Sequence, residues 1–280
     1  MRPRPFLLGW LVGEFVGTFL LVLLGCGSVC TAVLTSAQLG TFQVAALWGS
    51  GVALAIFLTA GLSGAHLNPA ITLALAVWRG FPWGRVPRYL AAQFGGAFIA
   101  SLLLFVVYGG LLDAYEKRES IVRGAPGSEA SAMVFGEFFP NPHGRPLHEA
   151  DRAAVPPSTA FLVETLGTAL LALVIFAVSD PKNPPVVHRL SPLLIGLALT
   201  VLIALFSPLT MAAFNPARDL APRVFSSFAG WGKVVFTANG PGWLTVYVIA
   251  PLVGAITGGG VYQVLRAVRP APAASAARTS

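Results

Sequence analysis

The sequence predicts an all-α membrane protein with six transmembrane helices and two re-entrant half-helices, arranged as an inverted repeat. Three observations predict it. The chain is 55% hydrophobic and 10% charged, with a mean hydropathy of +0.75, whereas a soluble domain carries about 25% charged residues. Six apolar runs reach the ~20 residues that cross ~30 Å of hydrocarbon. The triplet Asn-Pro-Ala occurs twice, at Asn68-Pro69-Ala70 and Asn215-Pro216-Ala217, at corresponding places in two similar halves.

The first span, near 7–33, follows Arg2 and Arg4 as a secretory leader would. It is too long for a leader core, contains Glu14 and has no cleavage site after it, so it reads as a retained span. Further spans fall near 42–62, 86–111, 158–179, 190–209 and 243–265. The apolar segments 68–78 and 215–227 are too short to cross. Residues 1–266 read as a single channel domain, with a first repeat at about 7–111, an outer loop at 113–157 and a second repeat at about 158–266. Residues 267–280 read as a disordered cytoplasmic tail by composition.

The net charge of +7 is a matter of topology. Arg79, Arg85, Arg88, Lys182, Arg189, Arg266 and Arg269 fall in short loops or near the end of the chain, with only Asp180 among them. The positive-inside rule puts these segments, and both termini, on the cytoplasmic side of a cell (inner or plasma) membrane. Segment 113–157 carries five bases against seven acids and belongs outside. Nothing in this distribution calls for nucleic acid. Cys26 and Cys30 lie one turn apart in the first span and read as small packing residues; the chain has neither a metal-ligand spacing nor a disulfide framework.

The two halves match in detail. GEFVGTFLL at 13–21 aligns with VETLGTALL at 163–171, which pairs Glu14 with Glu164, Gly17 with Gly167 and Thr18 with Thr168. The separations from Glu14 to Asn68 and from Glu164 to Asn215 are nearly equal. Three spans per half force the second copy to enter from the opposite face, and such repeats place their site near the midplane on interrupted helices.

Asn is a preferred N-cap and Pro a preferred first helical residue, so Asn68 and Asn215 should each start a helix. About ten residues at 1.5 Å each span ~15 Å, half the hydrocarbon. Two such helices entering from opposite faces meet end to end at the centre. Non-helical backbone at that depth must be enclosed by protein or line a watery cavity. With its oxygen turned to the backbone, each capping Asn keeps an NH2 group as two donors for the cavity. The facing positive helix ends bar cations. A pore for small neutral solutes follows.

The remaining intramembrane polar groups need roles as well. Glu14 and Glu164 are expected to brace the loops by accepting backbone N–H groups. Arg218, one turn beyond Asn215, is expected to donate into the pore and repel cations. Asp219 is expected to pair with Arg223, one turn on. His66 reads as packing or a gate, and Trp48 as packing or an interfacial belt.

Taken together, SGAHLNPAIT and FNPARDLAPRVF resemble the major intrinsic protein family, in particular its aquaglyceroporins. The resemblance runs over about 8–266 through GEFVGT, LWGSGVALAIFLTAG, IVRG, PNPH and SSFAGWG. It implies an aquaporin-like fold in a homotetramer without cofactor. It also implies passive permeation of glycerol or similar polyols, with urea and some water. By matched position, Asn68 and Asn215 are the central donors, and Trp48 and Arg218 belong to a narrow filter near the outer mouth. Carbonyls of Gly64, Ala65, His66, Met211, Ala212 and Ala213 would form the polar wall. Asp219 marks the glycerol branch.

The filter departs from that pattern. Ala212 stands where an aromatic is usual, and Ile203 where a small glycine is usual, which resembles the nodulin-26-like branch that also passes uncharged metalloid acids. Against the glycerol channel therefore stand a water-selective pore, a metalloid-acid channel and an ion-coupled transporter. A transporter would need coupling acids at the midplane; Glu14 and Glu164 are the candidates, and bracing explains them better. No nucleophile–base pair or metal cluster supports an enzyme.

Overall fold

A computed structural model of the chain describes residues 8–269. Arg2, Arg4 and the expected tail from residue 270 on, with Arg278, lie outside the described residues. The main helices are α1 (Gly9–Leu34), α2 (Thr41–Ser63), α3 (Pro69–Arg79), α4 (Val86–Arg118), α5 (Pro157–Val178), α6 (Pro185–Thr210), α7 (Pro216–Ser226) and α8 (Gly242–Ala267). Six of them are long and apolar enough to cross a membrane; α3 and α7 are the half-length pair.

Three boundaries differ from the sequence reading. Helix α4 continues past residue 111 to Arg118, because its polar last turns find partners beyond the apolar stretch: Glu116 pairs with Arg123 at 2.7 Å and accepts the Ser131 hydroxyl at 2.7 Å. Helix α6 begins at Pro185, a residue suited to a first turn. Helix α8 includes Ala267, which the sequence reading gave to the tail, and carries a π-turn over Thr245–Ile249.

The packing follows the repeat. Helix α1 lies against α2 and α4, and α5 lies against α6 and α8; α2 and α6 join the halves. Small residues allow that joint. A Cβ added at Gly49 would sit 2.3 Å from the Gly196 carbonyl oxygen, and one at Gly196 would sit 2.4 Å from that of Gly49. The half-helices are exchanged: α3 packs chiefly on α8, and α7 on α4. Each pore-forming segment is thus held by the other half of the chain.

The segment 113–157, which the sequence reading gave as a loop, carries a buried stretch. Residues 128–139 are all buried and pack on α7. Two short helical turns, Glu129–Ala132 and Glu149–Ala154, are tied by an Arg152–Glu129 ion pair at 3.0 Å.

Candidate functional site

The approach to each half-helix turns through left-handed backbone, at Gly64, Ala65 and Leu67 in one half and at Met211, Ala212 and Phe214 in the other. Such conformations cost a non-glycine residue roughly 1–2 kcal/mol each. The two buried glutamates hold them. Glu14 accepts the N–H groups of His66 at 2.9 Å and Leu67 at 2.8 Å, and the Gln93 amide at 2.7 Å. Glu164 accepts the N–H groups of Ala213 at 3.0 Å and Phe214 at 2.8 Å, and the Thr210 hydroxyl at 2.6 Å.

The aligned glycines share in this. A Cβ at Gly17 would lie 2.4 Å from the Leu67 side chain, and one at Gly167 would lie 2.1 Å from that of Phe214. In each half the residue before the capping Asn lies where a larger neighbour would collide.

Asn68 Oδ1 accepts the Ala70 N–H at 2.8 Å; Asn215 Oδ1 accepts those of Ala217 at 3.0 Å and Arg218 at 3.3 Å. The amide nitrogens are less free than the sequence reading held. Asn68 Nδ2 donates to the Phe214 carbonyl, and Asn215 Nδ2 to the Leu67 carbonyl, both at 2.8 Å. These reciprocal bonds clasp the two repeats at the centre. They leave one side-chain N–H per Asn for anything in the cavity.

Two cavities meet at one constriction. The inner one, about 220 Å³, has Asn68, Asn215 and the approach residues Gly64, Ala65, His66, Ala212 and Ala213 on one side. Val52, Ile56, Ile195 and Leu199 are among its apolar lining. The outer one, about 480 Å³, is bordered by Glu137, Asn141, Arg145 and Met211. Trp48, Ile203 and Arg218 border both, so they frame the neck between them. Ala212 borders the inner cavity and Met211 the outer. The His66 ring sits 3.2 Å from the Thr72 hydroxyl and edge-on to Phe81.

Arg218 is held by Trp48, Phe135, Cys26 and Glu137. Its guanidinium lies 4.2 Å from the Trp48 ring centre, and Nη1 donates to the Phe135 carbonyl at 3.1 Å and to Cys26 Sγ at 3.7 Å. Nη2 forms an ion pair with Glu137 Oε1, and both side chains are buried. Beyond that contact, neither Glu137 carboxylate oxygen finds a hydrogen-bond partner among the described residues. Burial pushes the Glu137 carboxyl up to about 8, against the pull of Arg218.

Asp219 and Arg223 do pair, at 2.7 and 2.9 Å. They also hold the outer segment: Asp219 accepts the Glu137 N–H at 2.7 Å, and Arg223 donates to the Glu137 carbonyl. Sequence reasoning passed over Glu137. Its one signal is an isolated acid inside the apolar run MVFGEFF at 133–139.

Half-helices meeting at a clasped centre, beside a charged neck, define a transmembrane channel. The chain belongs to the major intrinsic protein family, whose model matches residues 4–262. It is 41% identical to the glycerol uptake facilitator protein of Pseudomonas aeruginosa, over 98% of this chain and 94% of that one. It is 40% identical to the Escherichia coli K12 glycerol uptake facilitator protein, over 95% and 90%. It is 38% identical to the propanediol uptake facilitator PduF of Citrobacter freundii, over 91% and 90%. Among solved structures, the aquaglyceroporin from Plasmodium falciparum matches with a TM-score of 0.74 at 29% identity, covering 91% of this chain and 95% of that one.

Proposed function

We propose that this protein is a passive channel for glycerol and similar small neutral solutes, with some water, and that it is not an enzyme. The observation that carries the reading is the pair of cavities joined at Trp48, Ile203 and Arg218. The neck offers guanidinium donors beside an indole face and the branched aliphatic wall of Ile203, which suits a solute with hydroxyls on one edge and carbon on the other. Below it, the free N–H of Asn68 and of Asn215 would serve a passing hydroxyl, with approach-segment carbonyls as acceptors and Glu14 and Glu164 as braces. Relatives named for glycerol and propanediol uptake support this solute class.

A metalloid-acid preference is the second reading. Ile203 closes one wall of the neck while Ala212 leaves room on its inner side. The basic ends also support an orientation with both termini in the cytoplasm: Arg79 donates to the Phe176 carbonyl, and Arg266 and Arg269 surround Asp180. A homotetramer in the cell membrane completes the proposal.

Swelling of proteoliposomes in a panel of water, glycerol, urea and arsenite tests it. Fast, non-saturating glycerol flux without a proton gradient is expected, and Ala212→Phe should raise the preference for glycerol over arsenite. Saturable, gradient-driven flux would sink the channel reading, and arsenite flux far above glycerol flux would favour the second.

A further inference from the structure

The neck carries an ion pair rather than a lone cation, and the acids of the pore divide accordingly. Glu14 and Glu164 lie behind the approach segments, each filled by three donors. Asp219 is engaged in two bonds by Arg223. Glu137 is the carboxylate in ion-pair contact with Arg218 among the described residues.

Without Glu137, the pore would present an anion with one guanidinium, two helix N-termini and the free N–H groups of two asparagines. A helix N-terminus carries roughly half a positive charge and binds anions readily. A neck that repelled cations by such means alone would collect anions and be blocked by them. Resting on the channel reading, we propose that Glu137 is a specificity-determining residue: by pairing with Arg218 it cancels the positive charge at the neck, so that small anions are neither drawn to the constriction nor held there.

The fold holds the carboxylate in place for this. The Glu137 N–H is bound by Asp219 and its carbonyl by Arg223, which fixes the backbone on both sides of the side chain. Those two are positioning residues; Glu137 itself borders the outer cavity that a solute crosses first. The titratable and charged groups facing it are Arg218, Asp219 and Arg223 on α7, Glu164 on α5, Cys26 on α1 and Tyr247 on α8. Glu119, His143 and Arg145 stand around the outer cavity. Because burial pushes Glu137 up to about 8, acidification should protonate it and uncover Arg218.

The test is glycerol flux into proteoliposomes while sodium nitrate replaces sodium gluconate at constant ionic strength. At about pH 9, where Glu137 is ionised, the unmodified protein should carry glycerol with no response to nitrate. Glu137→Gln removes the charge and keeps the shape, and should raise nitrate affinity at the neck by at least about tenfold. Nitrate should then inhibit its glycerol flux, equally at every pH. Glu137→Asp, which keeps the charge, should stay resistant. The unmodified protein should itself gain nitrate inhibition as the pH is lowered and Glu137 takes up its proton, and His143→Ala should keep that gain.

A Glu137→Gln channel that carries glycerol and ignores nitrate overturns the proposal. So does nitrate inhibition of the unmodified protein at high pH as strong as in the variant. If Glu137→Gln carries no glycerol, Glu137→Ala takes its place and the pH series is carried down to about pH 4, below the ordinary carboxyl value; no nitrate response in either overturns the proposal. Absence of glycerol flux in the unmodified protein without nitrate is a different result, and it sinks the channel reading instead.

Discussion

The two half-helices are built on one plan and finished differently. Both begin at an Asn that caps its own helix and clasps the other repeat, and both are entered through left-handed backbone pinned by a buried Glu. Beyond the first turn they diverge. Counting from the Asn, Ile71, Thr72 and Ala76 of α3 occupy the places of Arg218, Asp219 and Arg223 of α7. On α3 the polar gap is closed within the membrane by Gln93, which donates to both Thr72 and Glu14. On α7 it is closed by the segment around Glu137, which packs on Arg218, Asp219 and Arg223. The difference teaches that the scaffold must be symmetric to cross the membrane from both faces, whereas charge is needed at one mouth only.

The sharpest way to break the comparison is at the fourth residue after each Asn. Asp219→Ala leaves Arg223, 2% exposed, without its acid partner and leaves the Glu137 N–H without an acceptor. Losing one member of a buried pair costs about 3–5 kcal/mol. Thr72→Val at the equivalent place removes neutral hydrogen bonds and should cost about 1 kcal/mol. Thermal unfolding in detergent measures both, and a similar loss from the two variants would mean that the charged half is no more dependent on its polar network than the neutral one.

The braces come next in size. Glu14→Ala leaves the His66 and Leu67 N–H groups open, but Gln93 Oε1 is buried without a partner and can turn to accept one of them. Among the described residues, the one side chain hydrogen-bonded to Glu164 is Thr210, whose hydroxyl is already a donor. Each buried donor left unpaired costs about 1–3 kcal/mol, moderated here by water from the cavity. Glu164→Ala should therefore lower unfolding temperature and glycerol flux per reconstituted protein more than Glu14→Ala does. Equal losses would show that Gln93 gives no reserve.

This asymmetry also marks what could be read from the sequence. Hydrocarbon imposes length and apolarity, so the six spans were legible, and Asn-Pro is so specific a helix start that α3 and α7 were placed to within about a residue. The braces were legible because the repeat aligned Glu14 with Glu164. The course of the outer segment was hidden. Its charges say where it was expected to lie and nothing of its packing; at Glu137 it is held by Asp219 and Arg223, groups supplied by the second repeat. Glu137 was missed for that reason. The reciprocal clasp was hidden too, since a cap is a local pattern and the carbonyls of Leu67 and Phe214 belong to opposite repeats.

The smallest expected difference is between the caps themselves, and it bears most directly on the filter. Asn68→Ala frees one N–H on its own helix; Asn215→Ala frees two, those of Ala217 and Arg218. Losing a cap costs about 0.5–2 kcal/mol, so the two variants should differ by less than about 1 kcal/mol in stability. Their permeation should separate them better. The Asn215 oxygen holds the backbone of Arg218, so Asn215→Ala should admit small cations such as methylammonium along with glycerol, while Asn68→Ala should lose glycerol flux without that leak. Equal leakage from both would place cation exclusion in the facing helix ends, which the two Asn share. Leakage from Asn215→Ala alone would place it in the aim of Arg218, which only one of them controls.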